Sequence, residues 1–505
     1  MNYSQPAATL GRLIESSAAK YGLKAAVRFS DGGEIVSVSY EELYADARAA
    51  ASRIENILPG RMNAAVIGRT DYGYITCMNG LFLSGKVFVP LSPDSEPDKL
   101  AALLDDCDAG IVFFDSKQRS KIESIRSRIN KVRAFVEIGS DEFASVPFDP
   151  DFTDRADPEE CAAIMYTSGT TGDFKGVMLS HRAIFSNVRF EEWDLDRSNV
   201  TLSVLPMHHI FCFACDYLKN INDGVTICLN VELGRIYRNL LLFEPTVMRL
   251  VPMIIESIAN RIRVVMSKHP EYSPRKAGES VFGSRLNYIL SAGAPLVGGL
   301  APFFETMGIR VRQGYGMTEV SARVSVPDEK TDPHSGGRVI SICDVRIENG
   351  EIQVKTPSIF SGYYKKPEET AAMFTPDGWF KTGDIGYITP ERELFVKGRI
   401  KNLIILSGGE NVSPEEIEKY YADEGLIKEM MVYEKDGAIT AAVRPDYDFA
   451  EFTGIMDPEA AVFRLIEKIN LEHESTREIT KVVIKQTPFL RTASGKIIRS
   501  EVNET

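Results

Sequence analysis

Tyr166-Thr167-Ser168-Gly169-Thr170-Thr171-Gly172-Asp173-Phe174-Lys175-Gly176 lies between apolar residues 162–165 and 177–179, which predicts a loop joining two strands. Glycines at 169, 172 and 176 allow positive φ and a close backbone approach to a ligand. The hydroxyls of Thr167, Ser168, Thr170 and Thr171, successive N–H groups and the Lys175 charge suit an anion. Most short Gly/Thr runs are solvated hairpins; a run this long with a terminal lysine reads instead as a phosphate-gripping loop. It is not a P-loop, which needs Gly-Lys-Ser/Thr opening a helix. Here Lys175 stands between Phe174 and Gly176, and apolar Val177-Met178-Leu179 follows.

The chain around this loop has 505 residues, enough for two or three domains. Its net charge of −13, with no Lys/Arg block, excludes an obvious nucleic-acid partner. Seven cysteines without framework spacing suit buried thiols in a reducing compartment. Cys212-Phe213-Ala214-Cys215 lacks the second pair a zinc site needs and is read as packing. No signal peptide and no run of about 20 apolar residues is visible, so the expectation is a cytoplasmic protein without a membrane span.

Helical spacing of Leu10, Leu13, Ile14, Ala18 and Tyr21 predicts a first helix, and residues 40–58 a second. Short β-rich runs at 64–67, 87–90, 111–114 and 135–138, with a helix at 99–104, then alternate as in α/β layers with largely parallel sheets. After the loop, Ser180 is placed to cap a helix running toward Phe190. Strands are expected at 202–205, 225–229, 286–290 and 309–312, and helices at 253–266 and 297–307. Residues 339–396 read as strands and turns, and a compact unit of about one hundred residues follows Gly398-Arg399.

Further stretches bear chemistry. Gln313-Gly314-Tyr315-Gly316-Met317-Thr318-Glu319 sets an aromatic between glycines, for close approach to a planar ligand, and offers Glu319 as a hard oxygen ligand for Mg²⁺. Ser291-Ala292-Gly293-Ala294-Pro295 is a turn before it. Leu205-Pro206-Met207-His208-His209 follows an expected strand and shows no nucleophile partner of a triad. Trp379-Phe380-Lys381-Thr382-Gly383-Asp384 holds a carboxylate on a glycine-bounded turn, suited to ribose hydroxyls. Pro488-Phe489-Leu490-Arg491-Thr492-Ala493-Ser494-Gly495-Lys496 ends on a lysine after a Ser-Gly turn.

In wording and order, from about residue 10 to the end, these motifs resemble the adenylate-forming superfamily: acyl- and aryl-CoA synthetases, peptide-synthetase adenylation domains and luciferases. One departure is Phe174, where the family usually has proline. The resemblance implies an α/β fold: a large N-terminal adenylation domain of layered sheets and helices over 1–398, and a small α+β C-terminal lid over 399–505 on a hinge. By the same resemblance, Thr167, Ser168, Gly169, Thr170, Thr171, Gly172 and Lys175 hold phosphates. Gly293, Ala294, Pro295 and the Gln313–Thr318 motif border adenine, Glu319 carries Mg²⁺, and Asp384 and Arg399 contact ribose. His209 lines the carboxylate end of the substrate site. Lys401 stands at the hinge, Lys496 matches the catalytic lysine, and Gly408 and Gly409 lie on a loop that replaces it after rotation.

The implied activity is a ligase that converts a carboxylic acid, medium- or long-chain by its wording, with ATP to acyl-AMP, then transfers it to coenzyme A. Loading of an aryl, acyl or amino acid onto a carrier protein is the alternative, with Asp216 the acidic candidate for an amino group. Residues 210–214 are open to two readings, acyl-pocket wall or core. A non-catalytic nucleotide binder is the reading of another class, opposed by Lys175, Glu319, Asp384, Arg399 and Lys496 together.

Overall fold

The computed structural model describes residues 8–168, 174–189, 196–296, 299–328, 330–406, 411–422, 424–473, 477–490 and 497–499. Helix Leu10–Tyr21 starts where the Thr9 hydroxyl accepts from Arg12 N, and Tyr40–Ile57 starts on a Ser39/Glu42 capping box. Both caps satisfy N–H groups that have no partner inside the helix. Helix Tyr72–Leu83 was not expected: it is buried on nearly every side, so its sequence carries no amphipathic period.

Two seven-stranded sheets carry the larger part of the chain. In the first, strands Arg310–Gln313, Tyr288–Ser291, Val247–Leu250, Val200–Ser203, Thr226–Leu229 and Ala25–Asp31 run parallel, and Glu34–Ser39 closes the edge antiparallel. The second runs Gly362–Tyr363, Phe174–Ser180, Cys161–Ser168, Val87–Leu91, Asn63–Ile67, Ala109–Phe114 and Ala134–Glu137. Its last five strands are parallel, and the first two pair antiparallel beside them.

Side-chain alternation divides the core. Ala64 and Val66 face a central cluster that also holds Leu202, Ile227, Met248 and Ile289 of the first sheet, with Leu13, Met78, Phe82 and Phe213 of the helices between. Ala65 and Ile67 face the opposite way, onto Leu100, Leu104, Ile122 and Ile125. The α/β layering expected from the alternating pattern is the one observed.

Strand Val200–Ser203 begins two residues before the expected 202–205, and Tyr288–Ser291 two after the expected 286–290. Helix Leu300–Glu305 is shorter than 297–307, of which 297 and 298 lie outside the described residues, as does Phe190. Strand Val247–Leu250 and the hairpin Ala25–Asp31/Glu34–Ser39 had no expectation. Arg249 breaks the apolar run of the former, and the burial of the latter alternates poorly.

An antiparallel four-stranded sheet, Asp344–Glu348, Glu351–Lys355, Phe380–Ile388 and Leu394–Arg399, follows. Beyond it, residues from Ile404 to Ile479 assemble a separate core around the three strands Ile427–Lys435, Ala438–Pro445 and Lys481–Ile484. All seven cysteines are free thiols, and Cys212 and Cys215 are buried, as packing requires. No described helix is long and apolar enough to cross a membrane.

Candidate active site

Four neighbouring parallel strands of the first sheet end at one edge. Val200–Ser203 leads to the His208-His209 turn, and Val247–Leu250 to Val251. Tyr288–Ser291 leads to Gly293, and Arg310–Gln313 to the Gly314–Glu319 turn. The carboxyl ends of parallel strands are where open α/β sheets bind ligands. Gly293 adopts φ +88°. The Gln313 carboxamide oxygen accepts from Leu296 N at 2.6 Å, so the two adjacent turns are joined.

The tyrosine turn is tightly determined. A Cβ on Gly316 would lie 1.6 Å from the Ala322 carbonyl oxygen, so this glycine serves the chain's own packing rather than the approach of a ligand. Ser321 and Ala322 take positive φ, +57° and +106°. From below, the buried Asn187 amide donates to Val320 O and Arg323 O, and its Oδ1 accepts from Arg323 Nε at 3.1 Å. Nothing in the local sequence announced Asn187 or Arg323.

The second sheet supplies the expected phosphate hairpin. Strands Cys161–Ser168 and Phe174–Ser180 pair with Thr167 opposite Lys175. Tyr166, Thr167 and Ser168 are thus strand rather than loop, and Gly176 also lies within a strand. It does not take positive φ; a Cβ there would meet Ile164 Cγ2 at 2.8 Å. Gly169, Thr170, Thr171 and Gly172 lie outside the described residues, as do Gly408, Gly409 and Lys496.

Lys175 Nζ is 2.6 Å from Glu369 Oε2 and stands over the Tyr363 ring at 4.9 Å. Tyr363 in turn donates its hydroxyl to Glu319 Oε1 at 2.9 Å. Burial and the Glu319 carboxylate push the Tyr363 phenol well above its ordinary range, which keeps it a donor. Phe360 N also donates to Glu319 O, at 2.7 Å. The lysine of one sheet and the carboxylate after the other thereby meet on one tyrosine. Tyr363 and Glu369 were missed in the sequence, where Gly362 had been read only as punctuation.

The third sheet brings in Asp384. Register places it opposite Arg399, and Arg399 Nε lies 2.9 Å from Asp384 Oδ1. The other oxygen accepts the Tyr315 hydroxyl at 2.6 Å. Burial and Asp384 push the Tyr315 phenol well above its usual value. Tyr315, Asp384 and Arg399, the residues expected at adenine and ribose, therefore form one unit. Lys401 is exposed on the turn Ile400–Asn402 immediately beyond. Its neighbour Asn402 donates to Glu415 at 2.5 Å.

His208 and His209 have ring centroids 4.4 Å apart, and burial beside His209 pushes His208 down to about 3. His209 O accepts Phe213 N where the π-type helix Phe211–Leu218 begins. In that helix Cys212, Phe213 and Ala214 are buried, while Phe211 is partly exposed and packs against two apolar clusters, one of Ala214, Cys215 and Ala322 and one of Val247, Tyr288 and Leu290. Residues 210–214 thus divide between core and a candidate pocket wall.

Asp216, the acidic candidate for an amino group, lies in the interior, and its Oδ2 has no hydrogen-bond partner among the described residues. It is fully buried, its Oδ1 accepts from Thr201 and Asn220, and Arg249 donates to Asn220 Oδ1 at 2.8 Å. Burial, opposed by Arg249, raises it to about 6.

Among the described residues, no three His, Cys, Asp or Glu side chains cluster as a metal cage. The Mg²⁺ expected at Glu319 takes one or two carboxylates and completes its shell with phosphates and water. Glu319 presents a carboxylate of this kind.

Comparison with known proteins agrees with the geometry. Residues 14–364 match the family model of the AMP-binding enzyme, and residues 401–505 that of the AMP-binding enzyme C-terminal domain. Human long-chain-fatty-acid–CoA ligase ACSBG1 is 27% identical over 81% of this chain and 67% of its own. The long-chain-fatty-acid–CoA ligase of Thermus thermophilus is 27% identical over 83% and 82%. A fatty acyl CoA synthetase from Mycobacterium tuberculosis shares the fold, with a TM-score of 0.73 at 22% identity over 98% of both chains.

Proposed function

The chain belongs to the AMP-binding enzyme family and is an AMP-forming acid–thiol ligase; on that premise we propose how its residues divide the work and which acid it takes. A carboxylate oxygen attacks the α-phosphorus of ATP, the bond to the β-phosphate oxygen breaks, and acyl-AMP and pyrophosphate result. A thiolate sulfur then attacks the acyl carbon and AMP leaves. Coenzyme A is the proposed thiol, with an acyl carrier protein as the second candidate.

The observation that carries the assignment of roles is the meeting of Lys175 and Glu319 on Tyr363. It brings a cation for the β- and γ-phosphates beside a carboxylate able to hold Mg²⁺, and charge stabilisation with positioning is most of what phosphoryl transfer needs. The metal, when bound, neutralises phosphate charge. Tyr315, Asp384 and Arg399 hold the nucleoside, with the Asp384 carboxylate between a phenol and a guanidinium. Gly293, Ala294 and Pro295 border the adenine on the neighbouring turn, and His209 positions the substrate carboxylate.

Phe211 supports an apolar acid, medium- or long-chain, because it is a partly exposed aromatic between two apolar clusters, one holding Ala322 and the other Tyr288 and Leu290. Lys496 is assigned to the α-phosphate and carboxylate in the first step. Rotation of 399–505 about Lys401 then exchanges it for the loop bearing Gly408 and Gly409. The separate core of the C-terminal unit suits such a rigid-body turn. Cytoplasmic placement, which seven free thiols suit, belongs to the same reading.

The test is acid-dependent exchange of labelled pyrophosphate into ATP over a panel of fatty, aryl and amino acids. Coenzyme A and holo carrier protein are then supplied with each active acid. Exchange with apolar acids and thioester formation on coenzyme A are expected. Exchange confined to amino acids would overturn the substrate assignment, and release of orthophosphate alone would overturn the reaction.

A further inference from the structure

Glu369 sits on the short helix Pro367–Ala372 with an ammonium on either side: Lys175 Nζ at 2.6 Å from Oε2 and Lys366 Nζ at 3.4 Å from Oε1. Its placement is not left to a free side chain. Thr370 on the same helix accepts Tyr363 N at 2.8 Å, which binds the helix to the strand whose tyrosine carries Glu319. The carboxylate is therefore held against the lysine of the phosphate hairpin by the structure that also sets the metal carboxylate. The adjacent Glu368 is exposed.

We propose that Glu369 is a built-in competitor for Lys175: it holds the lysine through its carboxylate and yields it to the phosphates of ATP, and so sets nucleotide affinity without touching the reacting atoms. The inference rests on the assignment of Lys175 to phosphate. A phosphate oxygen reaching Lys175 either displaces the carboxylate or shares the ammonium with it. In both cases two anions are brought together, and the cost appears in binding. A half-exposed pair limits that cost to a few-fold. The close pairing also draws the Glu369 carboxyl below its ordinary range, so the competitor is ionised at neutral pH.

The test is titration of the full-length protein with Mg·ATP, together with the KM for ATP in pyrophosphate exchange. Wild type is compared with E369Q, E368Q, K175Q and the double variant K175Q/E369Q. E369Q is expected to bind ATP about two- to fivefold more tightly, with a matching fall in KM. E368Q is expected to change affinity by less than that, and E369Q to have no effect in the K175Q background, where there is no lysine to release.

An equal gain in E368Q, or persistence of the E369Q gain beside K175Q, would mean a general field effect and overturn the proposal. So would unchanged or weaker ATP binding in E369Q with a lower Tm, the outcome of a merely structural pair. If K175Q binds ATP as wild type does, the assignment of Lys175 fails and the competitor fails with it. If wild type binds ATP but shows no acid-dependent exchange, the reaction fails while the binding series still decides Glu369.

Discussion

Tyr363 donates its hydroxyl to Glu319 Oε1 at 2.9 Å, and this hydrogen bond ties an edge strand of one seven-stranded sheet to the turn that follows a strand of the other. It sets the distance between Lys175, the proposed phosphate lysine, and Glu319, the proposed metal carboxylate, because Lys175 rests on the same ring.

Tyr363→Phe keeps the ring under Lys175 and removes the donor to Glu319. A hydrogen bond to a charged group contributes about 1.5–3 kcal/mol. The magnesium concentration for half-maximal pyrophosphate exchange is expected to rise on the order of tenfold, with a smaller loss of Tm. Unchanged magnesium dependence would separate Tyr363 from the metal site.

Asp384→Asn removes the charge that Arg399 and Tyr315 share. A weakening of ATP binding of about tenfold or more is expected. Tyr315→Phe should cost less, since it leaves the ion pair with Arg399 in place. Calorimetric titration of both variants with ATP checks the order, and a larger loss in Tyr315→Phe would contradict it.

Gly316 and Gly383 make a contrasting pair. A Cβ at 316 meets the Ala322 carbonyl oxygen at 1.6 Å, whereas at 383, with φ +71°, nothing lies within 4 Å. Gly383→Ala is expected to cost about 1 kcal/mol for its backbone conformation. Gly316→Ala should cost more than about 3 kcal/mol or displace the Glu319 turn. Thermal denaturation and pyrophosphate exchange of both variants read this out.

His181 governs part of the acid stability. Its Nδ1 accepts Leu10 N at 3.2 Å, which requires the neutral ring, and burial with nearby Arg61 lowers its pKa to about 3. The folded state therefore binds fewer protons than the unfolded one below pH 6.5. The stability that depends on neutral His181 is complete above that pH and is lost as pH falls toward 3. At pH 4.5 the loss is about 2–3 kcal/mol. His181→Asn, which keeps an acceptor and does not titrate, should flatten the fall of Tm between pH 7 and 4.5.

Lys496 is assigned to the first step only. Lys496→Ala is expected to abolish acyl-AMP formation and to spare thioester formation from supplied acyl-AMP. Equal loss of both half-reactions would count against exchange of Lys496 for the glycine loop by hinge rotation.

Local chemistry made several parts of the site legible in the sequence. The glycine-flanked Tyr315 with Glu319, Asp384 on its turn and Arg399 at the junction are candidates that each lie within a few residues of the signal that marked them, whereas residues 169–172 of the expected anion loop lie outside the described residues. Helices Leu10–Tyr21 and Tyr40–Ile57 were legible for the same reason: one face is apolar and the ends carry their caps. Helix Tyr72–Leu83 escaped because burial on nearly all sides erases the period. The surroundings of Asp216 were not legible, because an acid in a helix has the same sequence appearance in solvent and buried beside Asn220 and Arg249.

The sequence by itself determined the repertoire: the candidate residues for phosphate, ribose and metal, and the α/β order that carries them. Only the tertiary structure decided the partners. Glu319 reaches Tyr363 across 44 residues and Asn187 reaches Arg323 across 136. Periodicity and capping act within a few residues, whereas a hydrogen bond or ion pair depends on distance in space, and that distance is set by how the two sheets pack.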